Sequence, residues 1–333
     1  MIQKIKLTDF RNFKCRSLEF SDAITTIVGP NASGKTNILE SLFLLSTGKS
    51  FKARVESEML RYEQELARVT GQIGTLKLEC MITKGDNGWP RKKLLVNGVP
   101  KRLVDFAGNF KTVLFGPWDM DLVTESPSIR RKFLDNVLSQ VDREYRRAIL
   151  SYDKGVRQRN RLLFRIREEG VVRSQLLFWN QLLIKNGNYV TQKREELINF
   201  VNNIGKVKLE YDRSIISEGR LEQYAREEVA SATTLVGPHR DDFIFFDKER
   251  NLASYGSRGE QRMGVLWLKM AELNFIEDKT GERPTLLLDD IFSELDQEHR
   301  GVVMEIAKKQ QTIITTTDEH FVENFNKSDK ILL

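Results

Sequence analysis

Lys35 and Thr36 close the loop Gly29-Pro30-Asn31-Ala32-Ser33-Gly34-Lys35-Thr36, and far downstream the adjacent carboxylates Asp289 and Asp290 follow an apolar run. The loop fits G-x-x-x-x-G-K-[ST], whose glycines let the backbone curl until successive N–H groups point inward at a phosphate. Lys35 adds a point charge, and the Thr36 hydroxyl can ligate Mg²⁺. Asp289 would hold Mg²⁺ through water, and Asp290 would orient an attacking water. Lys35 and Asp290 are therefore the catalytic candidates, and Thr36 and Asp289 the metal candidates. Adjacent buried carboxylates are costly without a cation, which favours a metal over a structural role. Together these groups could bind and split a triphosphate. The competing reading of the loop is a glycine-rich turn that binds nothing.

The flanking elements decide between the two. Ile24, Ile27 and Val28 form the apolar run of a central parallel strand, and a helix from Asn37 to Thr47, stopped by Gly48, brings its positive N-terminal end to the loop. Thr285 to Leu288 reads as a second buried strand and Thr312 to Thr315 as another. Ile2 to Phe10 and the stretch around Leu18 and Phe20 alternate as strands, with Arg11 and Asn12 in the turn between them. Arg11 could reach phosphate or base and Asn12 a base edge; a solvated turn is the alternative. Leu76 to Thr83 alternates as an antiparallel strand, and Asn97-Gly98 signals a type I′ hairpin. Thr112 to Phe115 is a buried strand ending at Gly116-Pro117-Trp118-Asp119, a turn that could also bring Asp119 near a metal.

Composition sets the frame: 333 residues, 40% hydrophobic and 30% charged, enough for one large core and a second lobe. No stretch reads as a signal peptide or a membrane span, so a cytoplasmic protein is expected. Two distant cysteines and three histidines suggest neither a disulfide framework nor a zinc site.

From Ser126 to about Asn202 the period becomes helical, with Tyr145, Ile149, Tyr152, Val156, Leu163 and Ile166 along one face. Arg130 to Arg173 holds 13 Lys or Arg against 6 Asp or Glu, whereas the whole chain nets only +6. Concentrated positive charge on helices is the footprint of contacts with nucleic-acid phosphates, although many helices carry charge for solubility. The candidates are Arg130, Arg131, Arg146, Arg147, Arg157, Arg159 and Arg161. Ser257-Arg258-Gly259 opens a helix running to about Asp278 and offers a hydroxyl and N–H groups to an anion. His239 reads as structural, held by Arg240 or Asp241.

GPNASGKT, SRGEQR, LLLDD and Ser293-Glu294-Leu295-Asp296 occur in the order found in ABC-type ATPases, and within that superfamily the chain resembles the RecF family, related to Rad50 and SMC heads. LTDFRNF, FGPWDMDLVTESPSIRRKFLD, SYDKGVRQRN, GPHRDD and TTTD extend the resemblance over nearly the full chain. It implies an α/β fold: an ABC-type ATPase head with a phosphate-loop sheet and antiparallel strands over 1–120 and 204–333, a helical lobe over 121–203, and no long coiled coil. The nucleotide set is then Arg11, Asn12, Gly29, Asn31, Ala32, Ser33, Gly34, Lys35, Thr36, Asn37, Glu260 and Asp296, with Ser257 and Gly259 of the signature reaching the γ-phosphate held by a second subunit.

The resemblance further implies ATP and Mg²⁺ as cofactors, an ATP-dependent homodimer, and double-stranded or gapped DNA as ligand. It implies RecR as partner, RecO in the same pathway, recombinase loading at gaps, and slow ATP hydrolysis that resets the switch. Members usually carry Gln where Glu260 stands and an acidic residue in place of Trp118. An ATPase subunit of a transporter or of a nuclease or defence system is the alternative. A transporter would be expected to show a His after the Thr315 strand, where Thr316 and Thr317 stand; a nuclease would need a further metal-binding domain.

Overall fold

The structure is a computed structural model, and it describes residues 1–85, 90–205, 207–293, 295–318, 320 and 328–333. The chain forms two compact units, Met1–Asp119 with Ile276–Leu333, and Met120–Phe275.

In the first unit the elements are β1 (Ile2–Phe10), β2 (Phe13–Glu19), β3 (Ile24–Val28), α1 (Lys35–Thr47), β4 (Leu66–Ile73), β5 (Leu76–Thr83), β6 (Arg91–Val96), β7 (Val99–Lys101), α2 (Leu103–Phe106) and β8 (Thr112–Phe115). The second unit holds α3 (Asp121–Thr124), α4 (Pro127–Val141), α5 (Arg143–Glu169), α6 (Leu177–Ile204), β9 (Lys208–Asp212), α7 (Glu218–Gln223), α8 (Ala225–Ser231), β10 (Asp242–Asp247), β11 (Arg250–Asn251), α9 (Leu252–Tyr255) and most of α10 (Arg258–Thr280). The chain then returns to the first unit through β12 (Thr285–Asp289), α11 (Gln297–Ala307), β13 (Thr312–Thr316) and β14 (Ser328–Leu332).

Two sheets of opposite character build the first unit. Strands β14-β3-β13-β12-β8 are all parallel, and β3, β8, β12 and β13 are buried throughout, which is why they read as unbroken apolar or threonine runs rather than alternating ones. Strands β2-β1-β4-β5-β6-β7 form an antiparallel meander with alternating burial along β4. The β6–β7 turn takes positive φ at both Asn97 and Gly98, as a type I′ hairpin requires. Helix α1 touches strands of both sheets, and eleven of its thirteen residues are buried. A helix apolar on nearly every side is stable only when enclosed. Its enclosure fixes the position of the loop that precedes it.

The second unit is larger than the helical lobe expected over 121–203. Residues 204–275 join it instead of the ATPase unit. The reason is packing: β9 lies on α6, β10 on α4 and α8 on α5, while Tyr152 and Leu183 share a core cluster with Ile216, Leu221 and Val236. Three ion pairs made by buried arginines cross the same boundary: Arg130 with Asp242, Arg194 with Asp241, and Arg159 with Glu228. The SRGEQR segment therefore sits in a different compact unit from the phosphate loop. Among the described residues no helix is long and apolar enough to cross a membrane.

Candidate nucleotide site

Strand β3 delivers the chain to the C-terminal edge of the parallel sheet, the edge where open α/β sheets bind ligands. The backbone there is committed to the loop: Ala32 has φ +66° and Gly34 φ +107°. A Cβ on Gly34 would stand 2.6 Å from the Asn12 amide nitrogen and 2.7 Å from the Phe13 ring, so only glycine fits. Helix α1 starts with no side-chain cap and no acidic residue in its first turn, which leaves its positive end without a neutralising carboxylate. The buried Ser33 hydroxyl has no hydrogen-bond partner among the described residues. Such an orphaned polar atom beside an uncapped helix start fits an anion.

Lys35 is nearly buried and its ammonium donates to the carbonyls of Gly29 (2.7 Å) and Pro30 (3.0 Å). Burial lowers its pKa from the ordinary lysine value, and Asp290, then Asp289, pull in the opposite direction. Those two carboxylates stand at the end of β12, with β13 between β12 and β3. Thr315 of β13 arranges them. Its hydroxyl donates to Asp289 Oδ1 at 2.6 Å, and the Asp290 N–H donates back to the Thr315 carbonyl at 3.1 Å. Asp290 has φ +49°, a conformation most side chains avoid but Asp tolerates. The structure thus brings Lys35, Asp289 and Asp290 to one edge. Among the described residues no cluster of three or more His, Cys, Asp or Glu could hold a metal alone. One or two carboxylates plus phosphate oxygens are what Mg²⁺ ordinarily uses, so Asp289 and Thr36 fit it.

Asn12 and Arg11 part company. The Asn12 amide donates to the Ser33 carbonyl at 3.0 Å and accepts from Asn37 at 2.9 Å, and Lys52 donates to Asn37 at 3.1 Å, so these residues brace the loop from outside. Arg11 is turned away: its guanidinium forms a double hydrogen bond with the buried Glu40 carboxylate (2.7 and 2.6 Å) and donates to the Glu58 carbonyl. The expectation that Arg11 faces phosphate or base is corrected by this pairing. Asn31 and Ala32 are exposed at the loop tip and Thr36 is half-buried. Asp119 closes its own turn by accepting the Gly116 N–H at 2.8 Å.

Ser257, Gly259 and Glu260 open α10. Glu260 accepts the Ser257 N–H at 2.7 Å while the Ser257 hydroxyl accepts the Glu260 N–H at 3.3 Å, a reciprocal capping box. The Ser257 N–H holds the Glu260 carboxyl below the usual range, helped by Arg250. Ser257 and Gly259 are exposed. Asp296 caps α11, accepting the His299 N–H at 3.0 Å; Glu294 of the same motif lies outside the described residues.

A model of the RecF/RecN/SMC N-terminal domain matches residues 1–333. The chain is 34% identical to the DNA replication and repair protein RecF of Herpetosiphon aurantiacus, over 97% of this chain and 95% of that one. It is 35% identical to RecF of Halalkalibacterium halodurans, over 95% and 92%. The chain belongs to the RecF family. A solved structure of the recombination mediator protein RecF with ATPrS, in the RecFOR pathway, matches with a TM-score of 0.87 at 32% identity, over 99% of this chain and 96% of that one. The Pyrococcus furiosus Smc head matches at a TM-score of 0.51 and 17% identity, a likeness of fold alone. The RecF-family fold here is thus an ABC-type ATPase head.

Within this RecF-family chain the seven arginines taken as DNA contacts divide. Arg130 is buried, paired through two nitrogens with Asp242 (2.6 and 2.9 Å) and donating to the carbonyls of Leu122 and Glu125. Arg159 is 2% exposed and binds Glu228, Thr234 and Asn180. Both are structural, because a guanidinium so enclosed cannot reach a phosphate. Arg131 is half-buried against the Asp241 carbonyl, Arg146 donates to the Ser139 carbonyl and Arg147 pairs with Glu144. Arg157 and Arg161 are exposed.

Sequence reasoning missed the organiser of this unit, the GPHRDD segment of the RecF resemblance. Asp241 is fully buried; it accepts from Arg194 (3.0 Å), the Tyr211 hydroxyl and the Ser214 N–H. His239 hydrogen-bonds the Tyr152 hydroxyl through Nδ1 (2.8 Å) and the Thr234 carbonyl through Nε2 (2.9 Å), in place of the expected Arg240 or Asp241. Burial pushes His239 down to about 4, so it is neutral, accepting from Tyr152 and donating to Thr234. Thr315 was also missed as a positioning residue; its signal was three threonines in a wholly buried strand.

Proposed function

We propose that this protein is an ATP-dependent DNA-binding protein of recombinational repair and replication restart, and that ATP binding rather than hydrolysis switches it. The observation that carries the reading is the uncapped, uncompensated start of α1, with Lys35 in the loop and Asp289 and Asp290 on the same sheet edge. Lys35, now held by two carbonyls, exchanges them for phosphate oxygens; Ser33, Gly34 and Thr36 supply N–H and hydroxyl groups. Mg²⁺ bound by Thr36 and Asp289 would neutralise charge between phosphate oxygens. Asp290 accepts a proton from water or orients it, and Thr315 fixes the Asp289 carboxylate and the Asp290 backbone.

Ser257 and Gly259 are exposed on a different compact unit from the loop, which supports completion of the site by a second copy in a head-to-tail homodimer. In that arrangement ATP joins the two copies around double-stranded or gapped DNA, and slow hydrolysis releases them. The similarity to RecF proteins of the RecFOR pathway supports RecR as direct partner, RecO in the same pathway and work in the cytoplasm. The exposed Arg157 and Arg161 are the best supported of the DNA contacts.

The test is mass by light scattering with and without ATP and Mg²⁺, with duplex DNA retention alongside, for the wild type, Lys35→Ala and Ser257→Arg. ATP is expected to double the mass and tighten DNA binding in the wild type alone. A wild type that stays monomeric with ATP and ignores DNA sinks the reading.

A further inference from the structure

The second unit contains a cleft of about 700 Å³ between the α5–α6 hairpin and helices α7 and α8. Its floor is apolar, from Leu163, Ile184, Leu221 and Val229. One wall is held rigid by Arg159, whose bonds to Glu228 (2.6 Å), Thr234 (3.0 Å) and Asn180 (2.8 Å) fix α5, α6 and α8 with its charge compensated. The rim is apolar where water should be: the cleft-lining Leu177 is 61% exposed. A large apolar side chain left in water at the mouth of a preformed cleft marks an interaction surface.

Charge narrows the occupant. Glu218 and Glu222 lie one turn apart on α7, line the cleft and are exposed, with no ion pair to either among the described residues. With Arg159 compensated by Glu228, the charges that remain among the cleft-lining residues are Glu218, Glu222 and Arg173, so the lining is net acidic in a chain that nets +6. Nucleic acid is disfavoured, since the wall repels phosphates and none of the lining residues is aromatic to stack a base. We propose that the cleft docks a basic amphipathic helix of a partner protein, its apolar side chains seated on the floor and its Lys or Arg side chains on Glu218 and Glu222. This is the helix-in-groove mode, with the groove supplied by packed helices. It goes beyond the nucleotide and DNA functions and does not depend on them.

The test is fluorescence anisotropy on the full chain with two labelled peptides of helical apolar spacing, one built from leucine and lysine, its twin from leucine and glutamate. The leucine–lysine peptide is expected to bind, Leu177→Asp to weaken it at least tenfold, and the double variant Glu218→Lys/Glu222→Lys to weaken it similarly while gaining affinity for the glutamate twin. All three altered side chains are exposed, and melting curves matching the wild type confirm the fold. Equal binding of both peptides, or binding unchanged in both variants, overturns the proposal. So does a concentration-dependent self-association of the wild type that Leu177→Asp abolishes, which gives the cleft to a second copy.

Discussion

The phosphate-loop edge and the arginine core of the second unit use charge in opposite ways. At the loop, α1 begins without a carboxylate, Ser33 keeps a buried hydroxyl without a partner among the described residues, and Lys35 rests on carbonyls alone. In the second unit the buried guanidinium groups meet carboxylates: Arg130 with Asp242, Arg159 with Glu228, Arg194 with Asp241 and Asp135. A compensated charge fixes packing, whereas an uncompensated one is available to a ligand. Residue type alone does not separate the two.

That contrast can be broken at its strongest point. Asp241→Ala leaves Arg194 buried with one acidic partner fewer, and should lower the unfolding free energy by about 3–5 kcal/mol in urea titrations. Lys35→Ala should cost less than about 1 kcal/mol, since it removes a desolvated charge that no carboxylate holds directly. Equal losses would erase the distinction. Acid should come next in size. His239 titrates near 4 when folded against an ordinary 6.5, so the unfolded chain binds the extra proton between those values. The stability this supplies is full above about pH 6.5 and falls by about 3 kcal/mol as the pH drops to 4. Removing the titration with His239→Gln should flatten that limb; an unchanged slope would show that another group governs it. The smallest stability effect belongs to Arg157→Ala with Arg161→Ala, expected within about 0.5 kcal/mol of the wild type. The same pair should reduce the slope of duplex affinity against salt, on logarithmic axes, by about 0.9 for each phosphate that is no longer neutralised.

The sequence made the loop, the buried strands and the Asn97-Gly98 hairpin readable because each rests on a local rule: glycine spacing, an unbroken apolar run, two residues with positive φ. The boundary at 203 failed for a non-local reason. Strands β9, β10 and β11 are short, and what ties them to the helices is a set of ion pairs between residues far apart in sequence. The buried arginines did leave a local trace. Arg159 is three residues after Val156 and four before Leu163, inside the apolar stripe of α5, and Arg130 stands three before Phe133 on α4. Position in the stripe outweighs charge. The turn of Arg11 toward Glu40 had no such trace, since Glu40 reads as one polar residue in a helix that proves to be enclosed.

Strand β3 lies between β13 and β14, both far downstream in the sequence, so the strand that carries the phosphate loop gains its neighbours only after residues 312–332 have been made. At about 5–20 residues per second, synthesis leaves β3 without either neighbour for tens of seconds. A nascent chain cannot hold nucleotide in its finished site during that time, and its apolar loop strand is open to chaperones. Birth order thus keeps the phosphate-loop site unfinished until β13 and β14 have been made.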